Sequence, residues 1–300
     1  MNSGILDVLK PPGMTSHDVV DWVRSLLPTG AKVGHAGTLD PAAAGVLVVC
    51  VGAATRLTEY LMDCNKAYRA EICLGVTTDS LDADGRVLQE RDASGVTEAD
   101  VRSALARLVG PQMMEPPMYS AARVGGRRLY HLAREGRQVQ RPPRPVTLHA
   151  LDLIRFTPGR RATLLADLHC TKGTFVRVVA GQVGELLGVG AHLSFLVRTS
   201  VGTHLLAHCA TLEELGAAAK GGTLAQLCVP VERALAHLPE QRLTGAALRA
   251  FRQGSPTACG GEGLGLVRVH GPEGRLIGIG EVVGHSGEWI LQPRKVLPDL

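Results

Sequence analysis

The sequence predicts an α+β fold with a large mixed, mostly antiparallel sheet flanked by helices, followed by a small C-terminal β-barrel. Single helical patterns are interspersed with several strand patterns, without the regular alternation of a doubly wound fold. The run GVLVVCV at 45–51 is apolar and uninterrupted, which is typical of a strand covered on both faces. After residue 241, short strands punctuated by glycine indicate a barrel. We therefore expect two domains, 1–241 and 242–300.

The first part of the chain is predicted to run strand, helix, polar loop, strand. Residues 5–9 form a strand that KPPG stops, and Ser16 caps an amphipathic helix. The loop GHAGTLDP at 34–41 contains one carboxylate, Asp40. Because Pro41 restricts the preceding residue to an extended conformation, Asp40 lies in a loop directly before the buried strand. That strand gives the carboxylate rigid support.

Further strands and helices follow from the same periodicities. Residues 68–77 alternate as a strand, and Thr97 opens a helix with the capping pattern T-x-x-D, which Gly110 ends. The remaining predicted elements are strands at 146–154 and 162–170, helices at 175–187 and 245–253, and C-terminal strands in GLVRVH, RLIGIGEVV and EWILQP. These elements complete the main sheet and the barrel.

Composition excludes several classes of protein. The opening residues are neither basic nor continuously apolar, which argues against a secretory signal. The longest apolar run, 42–54, is shorter than the roughly 20 residues of a membrane span. Seven scattered cysteines without a C-x-x-C pair argue against a disulfide framework and a zinc ribbon. We therefore expect a soluble, cytoplasmic protein.

Positive charge is concentrated in one segment. The whole chain has a formal net charge of +4, whereas 123–144 contains seven arginines and one acid, Glu135. Such a cluster is typical of a surface that faces phosphates, but many charge runs are solvated loops. Charge alone leaves both interpretations open.

Metal and nucleotide sites are not predicted. DSLDADGRVLQE resembles a calcium-binding loop, but its twelfth position, counted from Ser80, falls on Arg91, and a cation there defeats the site. His204 and His208 have i, i+4 spacing without the glutamate of a zinc protease motif. Neither G-x-x-x-x-G-K-[ST] nor a G-x-G-x-x-G loop between strand and helix occurs. We expect no metal and no cofactor, and we interpret DSLDADG as a turn between strands.

The polar loop and four further segments resemble one protein family. GHAGTLDP, with LDVLKPPGMTSHD, NKAYRAEICLGVTTDSLDADG, PPMYSAARVGGRRLYHLAREG and CTKGTFVRVVAGQVGELLGVGAHLSFLVR, is similar to the TruB family of bacterial pseudouridine synthases. The resemblance implies the pseudouridine synthase fold and a PUA-like RNA-binding domain at 242–300. It also implies isomerisation of uridine 55 in the T loop of tRNA, and it places 123–144 at the family's thumb-like insertion.

The same resemblance assigns roles around one uridine. Asp40 matches the catalytic aspartate, and Arg177 matches the arginine that pairs with it. His35 corresponds to the histidine that takes the place of the flipped base, and Tyr68 to the tyrosine that stacks on the target uracil. Leu196 corresponds to an apolar residue of the uracil pocket.

Other matched residues support the RNA or the loop. Lys10 belongs to a structural lysine–proline motif, and Phe175 stands where the family more usually has tyrosine, so a hydroxyl is missing there. Gly37 allows RNA to approach the backbone closely. Arg127 and Arg128 of the insertion are expected to grip the phosphates of the T arm.

Several alternatives stay open at this point. Asp40 acts either as a nucleophile or as a base that takes the 2′ proton. Three other hypotheses also stay open, namely a tRNA-folding chaperone in which Asp40 is incidental, a guide-RNA-dependent synthase, and a hydrolase of another kind. The expected partner is the T arm of tRNA, with no membrane, no obligatory protein partner and a monomeric state.

Overall fold

Two β-sheets organise the chain in the computed structural model, which describes residues 3–120, 122–137, 139–260, 263–285 and 288–297. The larger sheet has ten strands and the smaller has five, and two short hairpins accompany them. Within the described ranges, no helix is long and apolar enough to cross a lipid bilayer.

The described part of the chain contains nineteen strands and eight α-helices. The strands, in chain order, are β1 (Gly4–Lys10), β2 (Val33–His35), β3 (Ala44–Val51), β4 (Lys66–Leu74), β5 (Val76–Thr78), β6 (Val87–Glu90), β7 (Gly110–Met114), β8 (Arg123–Val124), β9 (Arg127–Arg128), β10 (Arg144–Thr157), β11 (Thr163–Cys170), β12 (Ala191–Val201), β13 (His204–Leu205), β14 (Cys228–Val229), β15 (Glu240–Arg242), β16 (Thr257–Ala258), β17 (Gly265–His270), β18 (Leu276–His285) and β19 (Glu288–Val296). The helices are α1 (Ser16–Ser25), α2 (Thr58–Met62), α3 (Glu98–Leu108), α4 (Leu129–Arg134), α5 (Val176–Leu186), α6 (Leu212–Lys220), α7 (Val231–Ala234) and α8 (Gly245–Arg252).

The larger sheet confirms the predicted mixed, mostly antiparallel arrangement. Its strands follow the order β14-β1-β3-β12-β4-β11-β10-β7, with β2 paired to β3 and β13 to β12. All these pairs are antiparallel except β3 and β12, which run in parallel. Helices α1 and α6 cover one face of β3, while α3 and α5 pack on β4, β10 and β11. The central strand β3 is therefore buried on both faces, as its uninterrupted apolar sequence predicts.

The C-terminal sheet is a half-barrel form of the predicted β domain. Its order is β15-β17-β18-β19-β16, and α8 packs against it through Phe251. Ile279 of β18 belongs to the same apolar cluster as Tyr60 of α2, so this sheet packs directly on the main domain. Because β15 begins at Glu240, the sheet starts just before the predicted boundary after residue 241. That boundary stays a prediction.

The cap of α1 differs from the prediction, because Thr15 and not Ser16 caps the helix. Thr15 Oγ1 accepts a hydrogen bond from the Asp18 N–H (3.0 Å), and Asp18 Oδ2 accepts one from the Thr15 N–H (2.8 Å). Ser16 is buried, and its hydroxyl donates to the Leu39 carbonyl (3.0 Å) and accepts from the Leu39 N–H (2.8 Å). The helix start thus holds the residue that precedes Asp40.

The strand predicted at 68–77 is divided into β4 and β5. Gly75 between them has a φ of +84°, and its N–H donates to the Gly190 carbonyl while its own carbonyl accepts from the Arg91 N–H. A left-handed glycine at this point turns the chain out of the main sheet. The β5–β6 hairpin that follows confirms that DSLDADG is a turn between strands.

Gly45 permits the parallel contact between β3 and β12. It has a φ of +111°, and a Cβ at this position would lie 2.2 Å from the carbonyl oxygen of Arg198. Any side chain here would force the two strands apart. The fold therefore depends on glycine at the residue where the Asp40 loop enters the sheet.

We predict that Gly45→Ala destabilises the protein by about 2–5 kcal/mol, from left-handed strain and overpacking against β12. Urea or thermal unfolding followed by circular dichroism measures the loss. Gly95→Ala is the matched control, because a Cβ at Gly95 meets nothing within 4 Å. Equal stability of the two variants would contradict the role of Gly45.

Candidate active site

A buried arginine holds the loop that carries Asp40 through hydrogen bonds to backbone carbonyls. Arg198 of β12 is only 1% exposed. Its Nε donates to the Val46 carbonyl (2.8 Å), its Nη2 to the Gly37 carbonyl (2.9 Å), and its Nη1 to the Thr38 carbonyl (3.3 Å). These carbonyls belong to the loop and to the start of β3, so one guanidinium fixes both. Sequence analysis did not single out Arg198.

A buried lysine supports the other end of the same loop. Lys10 Nζ donates to the carbonyls of Pro11 (2.9 Å), Pro41 (3.1 Å) and Ala43 (2.6 Å). Burial lowers the pKa of Lys10 to about 8, while the nearby Asp40 carboxylate acts in the opposite direction. Lys10 lies beneath the loop and is fully buried, a position that suits the structural role implied by its motif.

Asp40 and Arg177 contact each other. Arg177 lies in the first turn of α5, and its Nε is 3.2 Å from Asp40 Oδ2 while its Nη2 is 3.4 Å from Asp40 Oδ1. The Arg177 side chain is 6% exposed, whereas that of Asp40 is 45% exposed and so accessible from solvent. Desolvation by its surroundings raises the pKa of the Asp40 carboxyl above the ordinary value of 3.8, and the Arg177 guanidinium opposes this rise.

Three further groups that were not predicted surround the Arg177 guanidinium. Its Nη1 donates to Asp82 Oδ2 (3.0 Å) and to the Ser80 carbonyl (3.3 Å), and its Nη2 donates to the Tyr119 carbonyl (2.7 Å). Arg177 is therefore shared between two carboxylates. The signal that could have found Asp82 is its turn, DSLDADG, which lies in a segment of the family resemblance in which no role was assigned to Asp82.

The residues assigned to the uracil lie together beside this ion pair. Tyr68 and Leu196 are buried in one apolar cluster with Leu39 and Ala43, which flank Asp40 in the chain. Phe175, the residue before α5, packs on the same cluster and is half-buried. Tyr68 is buried, and this burial raises the pKa of its hydroxyl above the ordinary value.

His35 and Gly37 lie near the start of the loop 34–41 that carries Asp40. His35 ends β2, opposite Val49 of β3, and is half-buried. Gly37 has a φ of +112°, which favours glycine, and its carbonyl is held by Arg198 as described above. The structure thus fixes the backbone at both residues, while their contacts with RNA stay predictions.

The arginine-rich segment is folded as the β8–β9 hairpin and α4. Arg127 Nη2 lies 2.5 Å from Glu135 Oε1, Arg137 Nη1 lies 3.9 Å from the second oxygen of Glu135, and Arg141 pairs with Glu115. The Arg127 pair is about half-exposed, so it contributes at most about 1 kcal/mol and can yield to a phosphate. The side chain of Arg128 lies outside the described part of the structure.

Within the described ranges, His, Cys, Asp and Glu side chains do not gather in groups of three or more that could hold a metal ion. The two histidines with i, i+4 spacing lie on β13 and in a following 3-10 turn rather than on one helix. His204 Nδ1 lies 2.6 Å from Asp7 Oδ1 in the interior, and His208 Nδ1 lies 2.9 Å from Arg233. Both histidines therefore have protein partners.

The fold is that of the pseudouridine synthases. Over 98% of its length the chain is similar to a chain of a solved Cbf5-Nop10-Gar1 complex, with 84% of that chain covered, 26% identity and a TM-score of 0.77. A chain of an H/ACA RNP bound to a substrate RNA containing 2′-deoxyuridine shares the fold, with a TM-score of 0.75 and 24% identity over 99% of this chain and 85% of that one.

The chain belongs to the TruB family. The model of the N-terminal domain of TruB family pseudouridylate synthases matches residues 24–176, and that of the tRNA pseudouridylate synthase B C-terminal domain matches 177–236. A tRNA pseudouridine synthase B of Symbiobacterium thermophilum is 54% identical over 81% of this chain and 79% of its own. Another, of Moorella thermoacetica, is 44% identical over 99% and 100%.

We predict that Asp40→Asn does not lower stability at about pH 7.5 and raises the melting temperature there. A raised folded-state pKa means that the ionised carboxylate costs folding free energy at neutral pH, a cost that disappears as the pH falls through that pKa. Asp82 and the Tyr119 carbonyl still pair with Arg177 in the variant.

Thermal unfolding of wild type and Asp40→Asn across pH 4 to 8 checks this expectation. The difference between the two melting temperatures should shrink toward the acid end, as the folded protein takes up the proton on Asp40 and the cost of the ionised carboxylate falls. A melting temperature of Asp40→Asn clearly below that of wild type at neutral pH would show that ionised Asp40 stabilises the fold.

Proposed function

We propose that this protein converts uridine 55 in the T loop of tRNA into pseudouridine, with Asp40 as its single catalytic carboxylate. As a member of the TruB family the chain is a pseudouridine synthase, and its relatives named tRNA pseudouridine synthase B support tRNA as the substrate. The observation that carries the proposal is the half-exposed Asp40 carboxylate, held against buried Arg177 and flanked in the chain by residues of the apolar cluster that contains Tyr68 and Leu196.

The reaction suits a site with one carboxylate. The bond between ribose C1′ and uracil N1 breaks, the base turns in its pocket, and C5 joins C1′ while the C5 proton leaves and N1 gains one. No atom is lost and nothing is oxidised. Asp40 either attacks as a nucleophile or removes the 2′ proton, and both routes need its ionised form. Arg177 favours that form against the desolvation around Asp40.

We propose that the apolar cluster holds the base. A uridine in a folded loop must leave its stack, which costs a few kcal/mol, and stacking on an aromatic ring returns about 1–3 kcal/mol. Tyr68 supplies such a ring, with Leu196 and Phe175 in the same cluster. We propose that His35, in the same loop as Asp40, fills the space that the extruded base leaves in the RNA. These contacts form part of the proposal.

The alternatives are less well supported. The guide-RNA-dependent class is represented by solved complexes at 24–26% identity, whereas relatives named tRNA pseudouridine synthase B reach 39–54%. A chaperone without catalysis leaves the Asp40–Arg177 pair unexplained. We further propose that the enzyme is a cytoplasmic monomer without an obligatory protein partner, and that its half-barrel is the PUA-like RNA-binding domain.

Replacing the carboxylate tests catalysis directly. Asp40→Asn should abolish pseudouridine formation in an unmodified T-arm hairpin, measured by tritium release from RNA labelled at uracil C5, while RNA binding persists. The amide keeps the shape of the side chain but is neither a nucleophile nor a base. Equal tritium release by both proteins would reject catalysis by Asp40.

Removing the guanidinium should change the pH profile. Arg177→Ala removes the group that favours ionised Asp40, so the pKa of Asp40 rises further and the acid limb of the single-turnover rate moves to higher pH. The rate on the plateau should also fall severely. An acid limb at the wild-type position would mean that Arg177 does not control the charge of Asp40.

Salt dependence tests the arginine-rich insertion. Arg127→Ala with Arg128→Ala should weaken tRNA binding and make the slope of log K against log salt shallower by about 0.7–0.9 per lost phosphate contact. Arg69→Ala is the matched control, because Arg69 is exposed to the same 49% and also paired, with Asp167 on β11. The same slope for all three proteins would argue against phosphate binding by the insertion.

A further inference from the structure

Leu81, between the two residues that contact Arg177 Nη1, has a strained backbone. It is the one non-glycine residue with a positive φ, +64°, in the part of the chain that the structure describes. A branched side chain is disfavoured in this left-handed conformation, because its Cβ approaches the following carbonyl. Strain of this kind persists only where the surroundings impose it, and it concentrates at functional sites.

Backbone hydrogen bonds impose the conformation. The Leu193 N–H of β12 donates to the Leu81 carbonyl (3.0 Å), and the Leu81 N–H donates to the Thr78 carbonyl (3.3 Å). Thr78 Oγ1 in turn donates to the Asp82 carbonyl (2.7 Å). The turn is therefore attached to the main sheet on one side and closed on itself on the other.

The Leu81 side chain attaches the turn to α5. Its Cδ2 lies 3.4 Å from the point that a Cβ on Gly181 would occupy, so the side chain packs against the bare helix backbone at that glycine. Gly181 is four residues after Arg177, and residues with this spacing share one face of a helix. Leu81 thus packs one helical turn from the guanidinium that its two neighbours bind.

We propose that Leu81 is a positioning residue for catalysis. Its left-handed backbone and its packing on Gly181 hold the Ser80 carbonyl and the Asp82 carboxylate on Arg177 Nη1, and so keep the guanidinium against Asp40. Leu81 touches no reacting atom and acts only through Asp82 and Arg177. The inference rests on the proposed function, because it concerns the rate of the step that Asp40 catalyses.

Leu81→Gly separates this role from a merely structural one. Glycine relieves the backbone strain but also removes the apolar contact with Gly181, so in a turn that only connects strands the change would affect stability and leave the kinetics unchanged. If Leu81 positions Arg177, the single-turnover kcat falls about 10- to 100-fold, as misplacement of a catalytic group by about 1 Å does. KM should change little, and the acid limb should move to higher pH. Leu81→Met, which keeps an apolar contact with Gly181, should recover most of the loss.

A double variant tests the route of the effect. Since Leu81 acts through Arg177, Leu81→Gly combined with Arg177→Ala should be no slower than Arg177→Ala alone. Losses that multiply would overturn the proposal, as would Leu81→Gly with wild-type kcat and pH profile. Wild type and Asp40→Asn are measured in parallel: a wild type as inactive as Asp40→Asn refutes the proposed function instead.

A second variant covers the case in which Leu81→Gly does not fold, as judged by circular dichroism. Gly181→Val pushes Leu81 away from α5 and should give the same fall in kcat and the same shift of the acid limb. Gly216→Val is the matched control. Gly216 is also a helical glycine, in α6, and a Cβ there would lie 3.6 Å from the large side chain of Trp22 in α1. Wild-type kinetics of folded Gly181→Val, or an equal loss in Gly216→Val, would overturn the proposal.

Discussion

The position of Asp40 depends on two buried cations beneath its loop. The residues from Gly37 to Ala43 form no strand, so their inward carbonyls need donors from elsewhere. Arg198 and Lys10 provide six hydrogen bonds to carbonyls in and around this segment. Burying a cation without partners is costly, but a guanidinium or ammonium that donates to several carbonyls is compensated. The loop that carries Asp40 is therefore held in place without secondary structure of its own.

The same hydrogen bonds connect the main sheet to the loop that carries Asp40. Arg198 reaches the loop because β12 runs parallel to β3 at close range, and that approach needs Gly45. Arg177 comes from α5, which packs in the apolar cluster with Tyr68 and Leu196 and precedes β12 in the chain. Asp40 thus lies where three separate parts of the sequence meet. A change in any of them alters the charge or the direction of one carboxylate.

Sequence patterns predicted the parts of this site that are local. The buried strand, the loop before it and the helix that bears Arg177 follow from periodicity and turn residues, and the resemblance paired Asp40 with Arg177. Arg198 was missed because a strand pattern does not tell a buried arginine from an exposed one 160 residues away. Asp82 was missed because its turn was interpreted as a connection between strands, and neither the metal test nor the resemblance assigned a role to this residue. The cap was misplaced because Thr15 and Ser16 are both good caps, and only Asp18 decides between them.

Because Arg177 is shared between two carboxylates, it stabilises the negative charge of Asp40 only in part. A guanidinium paired with Asp40 alone would stabilise its negative charge strongly, and a carboxylate so stabilised is a weak nucleophile and a weak base. Here Asp82 and two carbonyls occupy the other donors, and Asp82 itself raises the pKa of Asp40. Asp40 is held in place but only partly neutralised. In the proposed function, this sharing holds the Asp40 carboxylate in place while leaving it a stronger nucleophile and base than a pair with Arg177 alone would.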